Sequence, residues 1–414
     1  MKEQWRDGAG VAGTPVSGGG IDEESNPGPI QIAISLGLIA VVLVLGFIFA
    51  RNALTSTLLF LLILLGLVMA HELAHFLTAK GFGIEVHEFG FGFPPRVWGK
   101  RFGETLYTIN WLPIGGFVRL EGEDADTGPR AFQSKPAWQR FIVLVSGALT
   151  NLVLPVLLFS IALMVPHEVP EGRAMITGVL PGSPAAAAGL QAKDVIISVG
   201  GRNASNLVEA SRYVRLNQGQ TVPIVVRRDG KDLTIPVYAR WAPGKDQGPT
   251  GISIAPAATR PDGAPFTTRV SESPLQAVPD AFRTTWDTLI LARNEVIGWF
   301  KGAGGPQLAG PVGIAQTTGE VARSSETAAG AIAPLLELSA LLSINLGIMN
   351  LLPLPMLDGG RVLFLVIEVV RGGRRVAPER EALVHLVGFV AFMLLAVVIT
   401  FADIGRLLHG TPLP

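Results

Sequence analysis

The chain predicts a polytopic α-helical membrane protein with about five spans, a β-hairpin region on one side and a β-rich domain on the other. Three observations predict it. Apolar stretches of bilayer length recur from Ile30 to Leu408. Hydrophobic residues make up 49% of the 414 positions and charged residues only 16%, with a mean hydropathy of +0.43. Between the third and fourth apolar stretches, short strand-like runs alternate with Gly- and Pro-containing turns. The net charge of zero gives no footing for a nucleic-acid partner. The absence of cysteine excludes disulfides, thiolate metal ligands and a cysteine nucleophile.

Residues 1–29, rich in Gly and Pro with mixed charge, read as a disordered tail. Ile30 to Ala50 has no charge and reads as a retained span; Asp22, Glu23 and Glu24 before it do not suit a cleaved secretory signal. Further spans are Leu54 to Lys80, Phe141 to Val165, Leu335 to Val370 (broken near Pro353 and Pro355) and Leu383 to Leu408. Short loops rich in Lys and Arg stay in the cytoplasm. Residues 80–140 hold Arg96, Lys100, Arg101, Arg119, Arg130 and Lys135, and the loop after the fourth span holds Arg371, Arg374, Arg375 and Arg380. Both loops are expected inside, with residues 166–330 and the C-terminus outside.

The second span carries His71-Glu72-Leu73-Ala74-His75. Histidines four apart share one helix face, within reach of one metal ion, and Glu72 is placed to act as general base on water. His71 lies about 25 Å along its helix at 1.5 Å per residue, towards the cytoplasmic face. A catalytic zinc needs a further protein ligand. The candidate is Asp358, after the broken segment Asn350-Leu351-Leu352-Pro353-Leu354-Pro355-Met356-Leu357 and before Gly359-Gly360, where a chain break inside a membrane lines a cavity. A helix-capping role for Asp358 is the alternative. His87, His167, His385 and His409 read as surface residues, and Glu337 and Glu368 lack a broken helix around them.

In these motifs the chain resembles the site-2 protease family of intramembrane zinc metalloproteases, in particular the bacterial regulator-of-sigma-E protease type. Ser343 to Met349 and Leu308 to Ala315 look like the same subgroup, and the resemblance runs from about residue 55 to the C-terminus. It implies one Zn2+ per chain bound by His71, His75 and Asp358, with Glu72 activating water. It also implies substrate contacts from Asn350 and from Gly147 and Asn151 in Ser146-Gly147-Ala148-Leu149-Thr150-Asn151; helix packing is the other reading of Gly147. Substrates would be single-span membrane proteins, such as an anti-sigma factor, or remnant signal peptides. Phe89 to Glu123 is similar to the family's membrane-associated β-hairpin region, whose edge can take up an extended substrate. Residues 173–255 look like a PDZ domain, with a peptide groove expected between Ile176-Thr177-Gly178-Val179 and the helix from Leu207; a steric gate on substrate size is the other reading.

In these terms the chain divides into the tail at 1–29, an extra N-terminal span at 30–50 and a first half of the protease core at 54–165. There follow the PDZ domain at 173–255, a linker and interfacial helix at 260–330, and the second half of the core at 331–414. The interfacial helix rests on Val278, Phe282, Trp286, Leu289, Ile290, Val296, Ile297 and Phe300, a stripe that could instead pack on the PDZ domain. The best-known bacterial members have four spans and two tandem PDZ domains, and here Pro94-Pro95 alters the glycine-rich loop. The expected location is the bacterial cytoplasmic membrane, multi-pass and in contact with lipid, with the PDZ domain outside. A non-catalytic PDZ-bearing adaptor with a structural zinc is the alternative; Glu72 argues against it, since a structural site needs no base. A metal transporter would want more ionisable residues along the spans.

Overall fold

The structure, a computed structural model, describes residues 50–409 other than 123–127, 245–246, 260–265, 306–308 and 326, together with 37, 40, 41, 44 and 47. The predicted tail at 1–29, and the predicted span at 30–50 apart from those few positions, lie outside the described residues. The first membrane-side half comprises α1 (Arg51–Gly81), β1 (Val86–Phe102), β2 (Thr105–Leu120) and α2 (Ala137–Met164). A β-rich region follows: β3 (His167–Pro170), β4 (Ala174–Val179), α3 (Pro184–Ala188), β5 (Val195–Val199), β6 (Arg202–Asn203), α4 (Leu207–Leu216), β7 (Thr221–Arg228), β8 (Lys231–Tyr238), β9 (Ile252–Pro256) and β10 (Thr267–Val270). The chain returns through α5 (Pro274–Phe300), α6 (Pro311–Arg323), α7 (Ile332–Leu351), α8 (Asp358–Val370) and α9 (Pro378–His409).

Among the described residues four helices, α1, α2, α7 and α9, are long and apolar enough to cross a membrane. The long stretch predicted from Leu335 to Val370 resolves into α7 and the shorter α8, because Pro353 and Pro355 cannot continue a helix. Apolar side chains such as Leu62, Val153, Leu157, Val387, Leu394 and Val398 face outward, as lipid contact requires. Within the bundle small residues set the spacing. A Cβ at Gly347 of α7 would lie 3.0 Å from the Ala148 carbonyl of α2, so these backbones meet closely.

Pro155, inside α2, has no N–H to give to the Asn151 carbonyl one turn earlier. Ser343 Oγ of α7 donates to that carbonyl instead, at 2.8 Å. One hydrogen bond therefore satisfies the break and ties α7 to α2.

Strands β1 and β2 each fold back into two segments. Residues 88–91 pair with 116–119 on one side and with 106–109 on the other, and 96–102 pair with 105–110. Segment 116–120 is consequently an outer strand of this small sheet. Gly92 (φ +77°) turns the chain where a Cβ would lie 2.4 Å from the Leu112 carbonyl oxygen.

The 174–256 region forms one antiparallel sheet in the order β8-β7-β5-β4-β9, with β6 beside β5. Its core includes Ile176, Ile196, Val199, Ala210, Val214, Ile224 and Val226. Strand β4 is interior. It pairs along its length with β9, from Ala174 opposite Pro256 to Val179 opposite Ile252. The groove predicted along Ile176, Thr177, Gly178 and Val179 is thereby corrected: those backbone groups are engaged, and the outer strand on that side is β9.

The segment predicted as a polar linker contains β10, which pairs with β3 and closes a two-stranded ribbon at the base of the unit. The stripe on α5 splits between two faces. Val278, Phe282 and Trp286 are exposed, while buried Asp287 and Asn294 point at the β-rich unit. Arg202 reaches Asp287 at 2.8 Å, and Asn294 donates to the Arg215 and Leu216 carbonyls at the end of α4.

Candidate metal centre

Helix α1 presents His71 and His75 one turn apart, both buried, against α2. Asp358 arrives from the far side of the bundle. Helix α7 ends at Leu351, the chain turns through Pro353 and Pro355, and α8 starts at Asp358 with Leu357 in the cap position. Asp358 is thus the first helical residue and does not cap. Its carboxylate Oδ2 lies 3.1 Å from His71 Nε2 and 3.3 Å from His75 Nε2, and the two Nε2 atoms are 3.1 Å apart. One donor atom from each of the three residues lies within 4.8 Å of the others.

The glycines around this turn are set by close approach. A Cβ at Gly359 would lie 2.2 Å from the Leu352 carbonyl oxygen, and one at Gly360 would lie 2.3 Å from that of Leu354. Both glycines lie within α8, so it is space and not backbone conformation that calls for glycine there. Met356, in contrast, is held at φ +72°.

The surroundings fix which imidazole nitrogens face inward. His75 Nδ1 is 2.8 Å from the Val143 carbonyl, an acceptor only, so Nδ1 carries the proton and Nε2 presents a lone pair. His71 Nδ1 lies 3.2 Å from the Asn151 amide, whose Oδ1 is buried without a partner. Amide O and N are assigned from their hydrogen bonds. With the amide turned over, Oδ1 accepts from His71 Nδ1–H, and His71 Nε2 is bare as well. Two imidazole lone pairs and a carboxylate oxygen then converge with no proton between them. That arrangement suits a cation, and two nitrogens with one oxygen are donors that a catalytic zinc takes.

Gly147 closes the site from α2. A Cβ there would lie 2.3 Å from His75 Nε2 and 2.6 Å from His71 Nε2. Gly147 and Asn151, expected to face substrate, therefore sit directly against His71 and His75. Glu72 is half-buried on the neighbouring face of α1, where Gly116 of the outer β2 segment comes so close that a Cβ would lie 2.9 Å from Glu72 Cγ. Asn350 is half-buried in the last turn of α7, just before the chain break.

Sequence reasoning missed two residues behind the site. His385, read as a surface histidine, accepts the Met356 N–H on Nδ1 at 2.8 Å. Glu368 forms a two-pronged ion pair with Arg140 of α2, at 2.6 and 2.9 Å. The signal available for both was an ionisable residue within an apolar stretch.

Residues 59–395 match peptidase family M50. A protein named zinc metalloprotease RasP from Geobacillus kaustophilus (strain HTA426) is 30% identical over 437 aligned positions, covering 86% of this chain and 99% of that one. Regulator of sigma-W protease RasP from Bacillus subtilis (strain 168) is also 30% identical, covering 84% of this chain and 98% of its own. The zinc metalloprotease RasP of Oceanobacillus iheyensis is 29% identical over 85% of this chain. With its match to the family, its apolar helices and its cluster of two histidines and an aspartate, the chain belongs to peptidase family M50, the site-2 protease type, and is a multi-pass zinc metalloprotease.

Proposed function

We propose that the protein hydrolyses peptide bonds in or near the transmembrane segments of single-span proteins, with His71, His75 and Asp358 holding zinc and Glu72 as the general base. The observation that carries this reading is the convergence of three lone-pair donors within 4.8 Å inside an apolar bundle, with a carboxylate next to the first of them. When bound, zinc supplies Lewis acidity, which acidifies water beside it and polarises a carbonyl. Glu72 accepts the proton of the attacking water and returns it to the leaving amine. Val143 and Asn151 hold the imidazoles in the tautomer that leaves Nε2 bare, and Gly147 keeps the space between them clear.

A peptide bond in a helix must unwind before it can be attacked. The outer β2 segment at Gly116, against Glu72, supports strand addition as the way a substrate is held extended. Asn350, at the chain break, binds the substrate backbone opposite that strand. The name of the Bacillus subtilis relative, regulator of sigma-W protease, supports a role in sigma-factor control, with a single-span anti-sigma factor as substrate; a remnant signal peptide is the other member of that class.

The basic residues of 80–140 and of the loop after α8 support a zinc site towards the cytoplasm of a bacterium, and the 174–256 unit on the outer side. We read that unit as a PDZ domain that takes an extended peptide along β9, at Ile252, Ser253 and Ile254, beside α4. The exposed Val278, Phe282 and Trp286 of α5 rest in the outer interface of the bilayer. Co-expression with a single-span reporter, with the cut mapped by mass spectrometry, tests the central reading. The parent is expected to cut within or beside the apolar segment, and Glu72→Gln to lower cleavage by a factor of about 100 to 10,000. Equal cleavage by both would overturn it.

A further inference from the structure

Between Ala382 and Phe401 helix α9 is apolar apart from His385 and Thr400, and Asp403 is its single buried residue. It meets the rest of the described protein closely at two places. Near its C-terminal end, Asp403 Oδ2 accepts from the Gly310 and Gly313 N–H groups at 2.9 and 2.8 Å, fixing α9 to the start of α6. Near its N-terminal end, α9 lies against the turn that delivers Asp358. A Cβ at Gly388 would stand 2.2 Å from Pro355 Cβ, and His385 Nδ1 accepts the Met356 N–H at 2.8 Å. The His385 ring is oriented by Phe364 of α8, with centroids 5.6 Å apart.

Met356 is two residues before Asp358 and sits at φ +72°, a conformation that a residue with a side chain adopts at a cost. Such a residue persists when its surroundings determine it. Within the turn, Leu357 N–H reaches the Leu354 carbonyl only at 3.3 Å. The short bond at Met356 comes from α9, 29 residues further along the chain.

We propose that His385, with the close approach that Gly388 permits, is a positioning residue for the zinc site: it holds the Pro355-Met356 turn from the last helix and so sets Asp358 on the two histidines. The proposal rests on Asp358 as a zinc ligand. Partners at one remove from a metal typically change its affinity ten- to a hundredfold, which gives the size of effect to look for.

The test compares purified full-length variants by zinc affinity in chelator competition and by the visible spectrum of the cobalt-substituted protein. His385→Leu removes the acceptor while improving helix propensity, so a merely helical role for the residue would leave zinc binding unharmed. His385→Asn keeps an acceptor oxygen near the Nδ1 position. His385→Leu is expected to bind zinc about tenfold or more weakly, with an altered cobalt spectrum, and His385→Asn to recover most of the loss. Gly388→Ala, which collides with Pro355, is expected to act as His385→Leu does. Gly405→Ala, on the same helix with nothing within 4 Å, is expected to match the parent. Parental zinc affinity in His385→Leu, or an equal loss in His385→Asn, overturns the proposal. Asp358→Ala in the same series separates the two readings: parental affinity there overturns the ligand set itself.

Discussion

A methyl group added at Gly147 would fall 2.3 Å from His75 Nε2 and 2.6 Å from His71 Nε2, where helix packing leaves it nowhere to go. Gly147→Ala is therefore expected to lose zinc almost completely while α2 still forms, because alanine favours a helix. Metal content per chain after purification checks it, and a full complement of zinc in that variant would contradict the packing account. Asn151→Leu removes the acceptor for His71 Nδ1–H but leaves all three ligands, so a smaller loss is expected, about ten- to a hundredfold in affinity by competition. At this scale the sequence was highly legible. His71, Glu72 and His75 are local in the chain, and helix periodicity alone places the histidines together. Asp358 was legible through the two prolines that break its helix. The positions of Asn151 and Gly147 beside the histidines were not, because they follow from how α2 faces α1.

Between α2 and α8, Arg140 and Glu368 make a largely buried ion pair across 228 residues of chain. Removing one partner of such a pair leaves the other buried without compensation, at about 3–5 kcal/mol. Glu368→Gln is expected to lower the thermal midpoint of the detergent-solubilised protein, and Glu368→Gln with Arg140→Met to recover part of the loss; no change in the single variant would remove the pair from the account. Periodicity identified the helices themselves well: a helix was expected from Leu207, and α4 runs from Leu207 to Leu216. Partnership between elements was harder. Strand β4 looked like a free edge because its partner β9 lies more than 70 residues away in the chain, and antiparallel pairing over that distance leaves no local trace. His385 looked like a surface residue for the same reason, since its acceptor role depends on which turn α9 faces.

At the scale of the whole molecule, the β-rich unit is bound to the membrane half through the β3–β10 ribbon and through α5, where Arg202 meets Asp287. Inside the unit, Asp194 anchors the loop before β5. Burial pushes its carboxyl up, but the Arg228 guanidinium and the Gln191 N–H more than offset this, so it is held below the ordinary carboxylate range. A carboxyl with a lowered folded-state pKa adds stability above its unfolded value, near 3.9, and loses it as the pH falls through the folded value. Hydrogen exchange of the β7 and β5 amides in the full chain is expected to show protection falling below about pH 4. Asp194→Asn is expected to show weaker protection at pH 7 with a flatter acid profile; an unchanged profile would exclude Asp194 as a source of the acid sensitivity.

Zinc bound per chain across the parent, Glu72→Gln and Asp358→Ala tests the central claim, that His71, His75 and Asp358 hold the metal while Glu72 does the proton transfer. One zinc per chain is expected in the parent and in Glu72→Gln, and little or none in Asp358→Ala. Undiminished zinc in Asp358→Ala would contradict the account.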